Sequence, residues 1–203
     1  MHIIPESSEA LSQAIDVLST GGTVIHATET CYGIACDLTN EDAVKDLFDV
    51  KQRPGFQTVS ALFASVDAAR EYVDVSPKAE ELFAKYLPGP LTIVLSKKKH
   101  APPIWLTAAG NGTDAQIGVR ISSHPFAMKL AQTFGKPIAT TSANVHGKPS
   151  PYSIAEIEAQ WAGAPLVPEL LIDAGTLPPA DPSTVIRVAG DTITVLRQGA
   201  LSF

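Results

Sequence analysis

Thr39-Asn40-Glu41-Asp42-Ala43-Val44-Lys45-Asp46-Leu47-Phe48-Asp49-Val50-Lys51-Gln52-Arg53-Pro54 reads as a helix whose apolar face ends in a cation. Thr39 with Asp42 three residues later fits a capping box, which starts the helix near Asn40. Val44, Leu47 and Phe48 mark a buried face at helical spacing, and Lys51 takes the next position in that phase. A helix built only to pack would carry an aliphatic there. A second cation follows at Arg53, and Pro54 stops the helix. Two cations directed inward call for an anion, because burying them unpaired is costly. The alternative is that Lys51 snorkels along its own stem and Arg53 pairs with a local Asp or Glu.

Working upstream, a helix starts near Ser7 or Ser8, carries Leu11, Ala14, Ile15 and Leu18 on one face, and ends at Gly21-Gly22. Thr23 to Ile25 is a buried strand that runs out into Thr28-Glu29-Thr30-Cys31-Tyr32-Gly33. Downstream, strands are expected around Val59–Phe63, Leu91–Leu95, Ile117–Ile121, Ile138–Thr141 and Leu170–Ile172. Between them lie two short helices, the second capped by Ser76 with Pro77 at its first position, another after Ser123-His124-Pro125, and one over Ile154–Trp161. Residues 107–116 have the composition of a mobile surface loop. Thr184–Val188 and Thr192–Leu196, turned by Ala189-Gly190-Asp191, form a closing hairpin. Helices alternate with strands and a hairpin ends the chain, so the fold is α/β, with an open, mixed sheet and flanking helices, in one domain over residues 1–203.

The 203 residues, 45% hydrophobic and 18% charged, suffice for a substantial core. A formal net charge of −6 argues against a surface devoted to nucleic acid, while leaving room for a local basic pocket. Cys31 and Cys36 lack partners at zinc spacing and read as buried thiols. The N-terminus has neither a basic start nor an extended apolar run, and no stretch approaches the roughly 18 apolar residues of a membrane span. The expectation is a cytosolic protein.

Of the five arginines, Arg120, Arg187 and Arg197 fall in or just beyond apolar strands, where ligands of open α/β sheets tend to bind. With Lys51 and Arg53 they are candidates for one polyanion; each alone also fits an ordinary solvated strand end. Thr140-Thr141-Ser142-Ala143-Asn144 places hydroxyls and an amide at a strand end, suited to phosphate oxygens and a small substrate's hydroxyl. Turn chemistry explains Asn144 but not three hydroxyls in a row. Lys97-Lys98-Lys99 reads as a solvated loop. No glycine-rich phosphate loop, dinucleotide fingerprint, zinc-protease motif or nucleophile elbow occurs. His26, His100, His124 and His146 show no metal spacing and read as structural or exposed.

Thr28-Glu29-Thr30 with Tyr32-Gly33, Lys51-Gln52-Arg53-Pro54, Pro88-Gly89-Pro90-Leu91-Thr92, Gly118-Val119-Arg120, Thr141-Ser142-Ala143-Asn144, Ser150-Pro151 and Ser183-Thr184-Val185 occur in this order. Together they resemble the YrdC-like threonylcarbamoyl-AMP synthase family, in its short form, from about Ile15 to Leu201. The resemblance implies an open twisted sheet with a central cationic cavity. It further implies an enzyme that makes threonylcarbamoyl-AMP and pyrophosphate from L-threonine, bicarbonate and ATP, with Mg²⁺ carried on the nucleotide. Other proteins then use the product to modify adenosine 37 of tRNA. By the same resemblance Lys51 and Arg53 are the catalytic pair, holding carboxylate and phosphate oxygens. Thr28 or Thr30, Arg120, Thr140 and one of Ser183 and Thr184 fall on threonine; Arg53, Ser142, Asn144, Ser150 and Arg197 fall on ATP.

The chain departs from the family pattern at Ala27 in place of proline and at Gln57-Thr58 in place of Asn-Pro, which leaves Gln57 without an assigned contact. It also lacks a histidine within 59–64. A rival reading from another class is a non-catalytic module binding double-stranded RNA or tRNA on the same fold, with weak RNA contact at the cavity rim. A third keeps the chemistry but changes the amino acid.

Overall fold

The computed structural model describes residues 1–107 and 116–203. The segment expected to be a mobile loop lies, over 108–115, outside the described residues. The described elements run β1 (His2–Pro5), α1 (Ser8–Ser19), β2 (Val24–Ala27), β3 (Tyr32–Ala35), α2 (Glu41–Val50), β4 (Ser60–Leu62), α3 (Val66–Arg70) and α4 (Pro77–Tyr86). They continue with β5 (Leu91–Ser96), β6 (Gln116–Arg120), α5 (Pro125–Phe134), β7 (Ile138–Ser142), α6 (Ile154–Trp161), β8 (Leu170–Asp173), β9 (Thr184–Ala189) and β10 (Thr192–Arg197). No helix among them is long and apolar enough to cross a membrane.

The strands form one open sheet in the order β1-β8-β2-β3-β7-β4-β6-β5-β9-β10. Parallel pairs (β1/β8, β2/β8, β4/β6, β5/β9) mix with antiparallel ones, as the alternation of helices and a terminal hairpin predicts. β1 and β3 were not anticipated. β1 has only four residues, and β3 begins inside the small polar run that reads as loop. β7 joins the two halves, pairing with β3 on one side and β4 on the other.

Alternation along the strands sorts side chains into two cores. Val24, Ala35, Leu62, Ile138, Leu170 and Ile172 pack with Ala10, Ala14 and Leu18 of α1 and Phe126, Leu130 and Ala131 of α5. Ile25, Ile34, Ala61, Ala139 and Leu171, one position along, face the larger core with Leu47 and Phe48 of α2, Leu82 and Phe83 of α4, and Trp161 of α6. The Trp161 Nε1–H donates to the Val50 carbonyl at 3.2 Å, satisfying a group that the end of α2 leaves open.

The two ends of α2 differ from the sequence expectation in instructive ways. Asn40, not Thr39, is the N-cap, accepting from Asp42 N at 3.0 Å and Ala43 N at 3.3 Å. Thr39 instead binds the carboxylate of Asp37 through its amide and its hydroxyl, so no capping box forms. At the other end Lys51 is the C-cap and Gln52 takes the left-handed conformation, φ 53°. Gln52 N donates to Asp49 O and Arg53 N to Phe48 O, the bond pair of a Schellman motif. This turn reverses the chain between the two cations. A left-handed glutamine is strained by about 1 kcal/mol, and Gln52 is exposed. Gln52→Gly should therefore raise unfolding free energy by about 0.5–1 kcal/mol, measurable by urea titration.

Candidate functional site

The same alternation that fills the cores leaves a second set of positions on the opposite face. Thr92 and Val94 of β5, Gln116, Gly118 and Arg120 of β6, and Val185 and Arg187 of β9 line a cavity of about 930 Å³. Ser60, Thr140, Thr141 and Ser142 extend it across β4 and β7, and Ser183, Leu196 and Arg197 close it from the C-terminal hairpin. Val94 pairs with Gly118 on one side and Arg187 on the other, which sets these groups in one row. A Cβ at Gly118 would stand 3.1 Å from both Ser60 Oγ and Thr92 Cγ2, so the glycine keeps this floor open. Four arginines and ten hydroxyl side chains are among the lining residues, and no carboxylate is among those described.

The Thr28–Cys31 turn shows which hydroxyl of the first pair reaches the cavity. Thr28 Oγ1 donates to Cys31 O at 2.7 Å and accepts from the amides of Thr30 and Cys31, both at 3.2 Å. With that proton committed, Thr30 is the donor in the 3.1 Å pair between the two hydroxyls. Thr28 thus holds the turn, while Thr30 lines the cavity and accepts from Arg120 Nη2 at 3.1 Å. Arg120 Nη2 also reaches Glu29 Oε1 at 2.9 Å, and Glu29 Oε2 accepts from the Ser122 hydroxyl. Burial alone would raise the Glu29 carboxyl; the Arg120 charge and the Ser122 hydroxyl outweigh it and hold the group below the usual carboxylate range.

The last pair resolves in the same way. Thr184 Oγ1 donates to Leu201 O at 2.7 Å and accepts from Gly199 N and Leu201 N, which saturates it beneath the surface. Ser183 Oγ lines the cavity and accepts from Arg197 Nη2 at 3.0 Å; its carbonyl takes two further bonds from the same guanidinium. Gly199 lies against this backbone so closely that a Cβ would stand 2.7 Å from Ser183 C. Gly199→Ala should displace Ser183 and Arg197 together. The expected readout is the lower Tm that overpacking brings, in a thermal melt.

Lys51 and Arg53 diverge. Lys51 is 2% exposed and does not line the cavity; its Nζ donates to Ser142 O at 2.5 Å and Asn144 O at 2.6 Å. Its own carbonyl accepts from His146 N at 2.8 Å, so one residue clasps the segment 142–146 from both ends. Burial, and then the charge of Arg53, push Lys51 down to about 7. Arg53 lines the cavity, donates to Thr141 Oγ1 at 3.2 Å and Thr58 O at 2.7 Å, and lies 5.4 Å from the centre of the Phe48 ring. Among the described residues neither meets an Asp or Glu, so neither the snorkelling nor the local ion pair describes them. Asn144 also points away from the cavity, donating to Val145 O and Lys148 O and accepting from the Ser142 hydroxyl.

Of the anticipated residues, Thr30, Arg53, Arg120, Thr140, Ser142, Ser150, Ser183 and Arg197 converge on the cavity. Thr28, Lys51, Asn144 and Thr184 support it from behind. Arg187 joins the lining, as do Gln57 and the exposed His146. Cys31, expected to be buried, is a half-buried thiol in the wall, whereas Cys36 is buried. Burial pushes the Cys31 thiol up against the opposing effect of Arg120. Lys98 and Lys99 are exposed, in keeping with a solvated loop.

The Sua5/YciO/YrdC family model, described as "Telomere recombination", matches residues 16–199. The chain is 34% identical over 165 residues to the threonylcarbamoyl-AMP synthase of Escherichia coli O1:K1, covering 79% of this chain and 84% of that one. Among solved structures, P. abyssi Sua5 complexed with L-threonine superposes with a TM-score of 0.83 at 32% identity. That match covers 98% of this chain but only 57% of the P. abyssi protein. E. coli YciO, at 23% identity and covered over 93% of its length, shares the fold with a TM-score of 0.81. A match over nine-tenths of the sequence, on a sheet of the same architecture, settles the lineage: the chain belongs to the Sua5/YciO/YrdC family.

Proposed function

We propose that this protein is a threonylcarbamoyl-AMP synthase acting in the cytosol. It joins L-threonine, bicarbonate and ATP, the last with its Mg²⁺, and supplies the product to proteins that modify adenosine 37 of tRNA. The observation that carries the reading is the cavity, lined by four arginines and ten hydroxyls, in a chain similar to proteins of that name.

Threonine's amine bonds to the carbon of bicarbonate, water leaves, and a carbamate results. A carbamate oxygen then attacks the α-phosphorus while the bond to the β-phosphate oxygen breaks and pyrophosphate departs. Such transfers need reactants held in line and negative charge neutralised, more than a protein nucleophile. Arg53 and Arg197, with Ser142 and Ser150, hold the nucleotide; Arg's planar fork suits phosphate oxygens. Arg120, Thr30, Thr140 and Ser183 hold threonine. Lys51, Thr28, Asn144 and Thr184 fix the backbone that presents these groups.

The test is to mix purified protein with L-threonine, bicarbonate and MgATP. Threonine-dependent pyrophosphate release, with the adenylate seen by mass spectrometry, is expected. Absence of both, with salt-sensitive RNA binding and no nucleotide affinity, would favour the non-catalytic alternative.

A further inference from the structure

We propose that Glu29 divides the cavity into two anion sites of unequal strength, so that the amino acid and the triphosphate are sorted by net charge. The proposal rests on the synthase reading for the identity of the two ligands, but not for the electrostatics. Among the described residues, Arg120 alone of the four lining arginines has a carboxylate partner. The pair is nearly enclosed, with side chains 11% and 14% exposed, so solvent screens it little. Glu29 is fixed at both oxygens, by Arg120 and by Ser122, whose Oγ in turn accepts from His124 N at 3.1 Å. Among the described residues, Arg53 and Arg197 are held by neutral partners only, the hydroxyls and carbonyls of Thr141, Thr58 and Ser183.

The Arg120 corner of the cavity therefore offers hydrogen-bond donors with the net charge cancelled, whereas Arg53, beside Thr141 and Thr58, offers donors with the charge intact. Threonine is a zwitterion with no net charge. It gains from the remaining N–H groups of Arg120 and is little affected by the cancelled charge. A polyphosphate responds to net charge above all, and settles where no carboxylate opposes it. Glu29 keeps pyrophosphate and the triphosphate off the amino-acid end without itself lining the cavity.

The probe is pyrophosphate, titrated calorimetrically at low salt into the full chain and its variants. Glu29→Gln should bind pyrophosphate about tenfold more tightly than the unaltered protein. Its affinity for L-threonine measured alone should move less than about threefold, and pyrophosphate should become competitive with threonine. Glu29→Asp, which keeps the charge, should track the unaltered protein. Pyrophosphate affinity unchanged within about twofold in Glu29→Gln, or an equal shift in Glu29→Asp, overturns the proposal. If Glu29→Gln does not fold, Arg120→Gln and Arg53→Gln decide: the second should weaken pyrophosphate about tenfold more than the first, and equal losses overturn the proposal. If the unaltered protein releases no threonine-dependent pyrophosphate, the synthase reading fails while these binding comparisons still decide the role of Glu29.

Discussion

Arg53→Ala is expected to lower kcat/KM for MgATP by about 10²–10³, the usual consequence of removing one preorganised donor from a site of developing negative charge. Arg53 enters the cavity with only part of its N–H set bound among the described residues, to Thr141 and Thr58. Donors are thus already aimed, at no reorganisation cost when the ligand arrives. The folded state should lose only about 1 kcal/mol, because Thr58 is exposed and water can replace the guanidinium at its carbonyl. Arg53→Lys should recover little, since an ammonium cannot hold Thr141, Thr58 and a phosphate in one plane. Initial rates of pyrophosphate release, with a thermal melt as control, check this; a near-normal rate in Arg53→Ala would remove its assigned role.

Lys51→Met should change the protein's dependence on pH. In the folded chain burial and Arg53 push Lys51 down to about 7, whereas the unfolded chain keeps an ordinary lysine near 10.5. Between those values the unfolded state binds the proton and the folded state does not, so stability rises with pH across that window. That rise should be missing in Lys51→Met. The substitution should also cost about 2–4 kcal/mol, because the buried carbonyls of Ser142 and Asn144 lose their donor. A polyanion beside Arg53 favours the charged amine, so pyrophosphate binding at pH 8 should be linked to proton uptake. Calorimetry in two buffers of different ionisation enthalpy measures it. No buffer dependence in the unaltered protein would count against Lys51 as the titrating group.

Much of this arrangement could be read from the chain. The apolar phase ending at Lys51 correctly pointed that side chain inward, and the strand-end arginines did gather in one hollow. What it binds was not legible, because its partners are backbone carbonyls, which leave no mark in a sequence. The hydroxyl pairs Thr28/Thr30 and Ser183/Thr184 were ambiguous for a related reason. In each, one hydroxyl is saturated by amides and carbonyls of a turn whose geometry exists only after folding. Glu29 was overlooked within a run of polar residues, although a lone carboxylate before a strand-end arginine in the same fold is the signal that could have singled it out. Asn40 and Thr39 are both good caps, and Asp37 decides between them by binding Thr39.

The cavity wall takes Thr30 from near the start of the chain and Arg197 from near its end. Without β10 the hollow has its floor but lacks the side that Leu196 and Arg197 supply. A chain cut short before Arg197 should retain most of its sheet yet respond to neither nucleotide nor pyrophosphate in a thermal-shift assay.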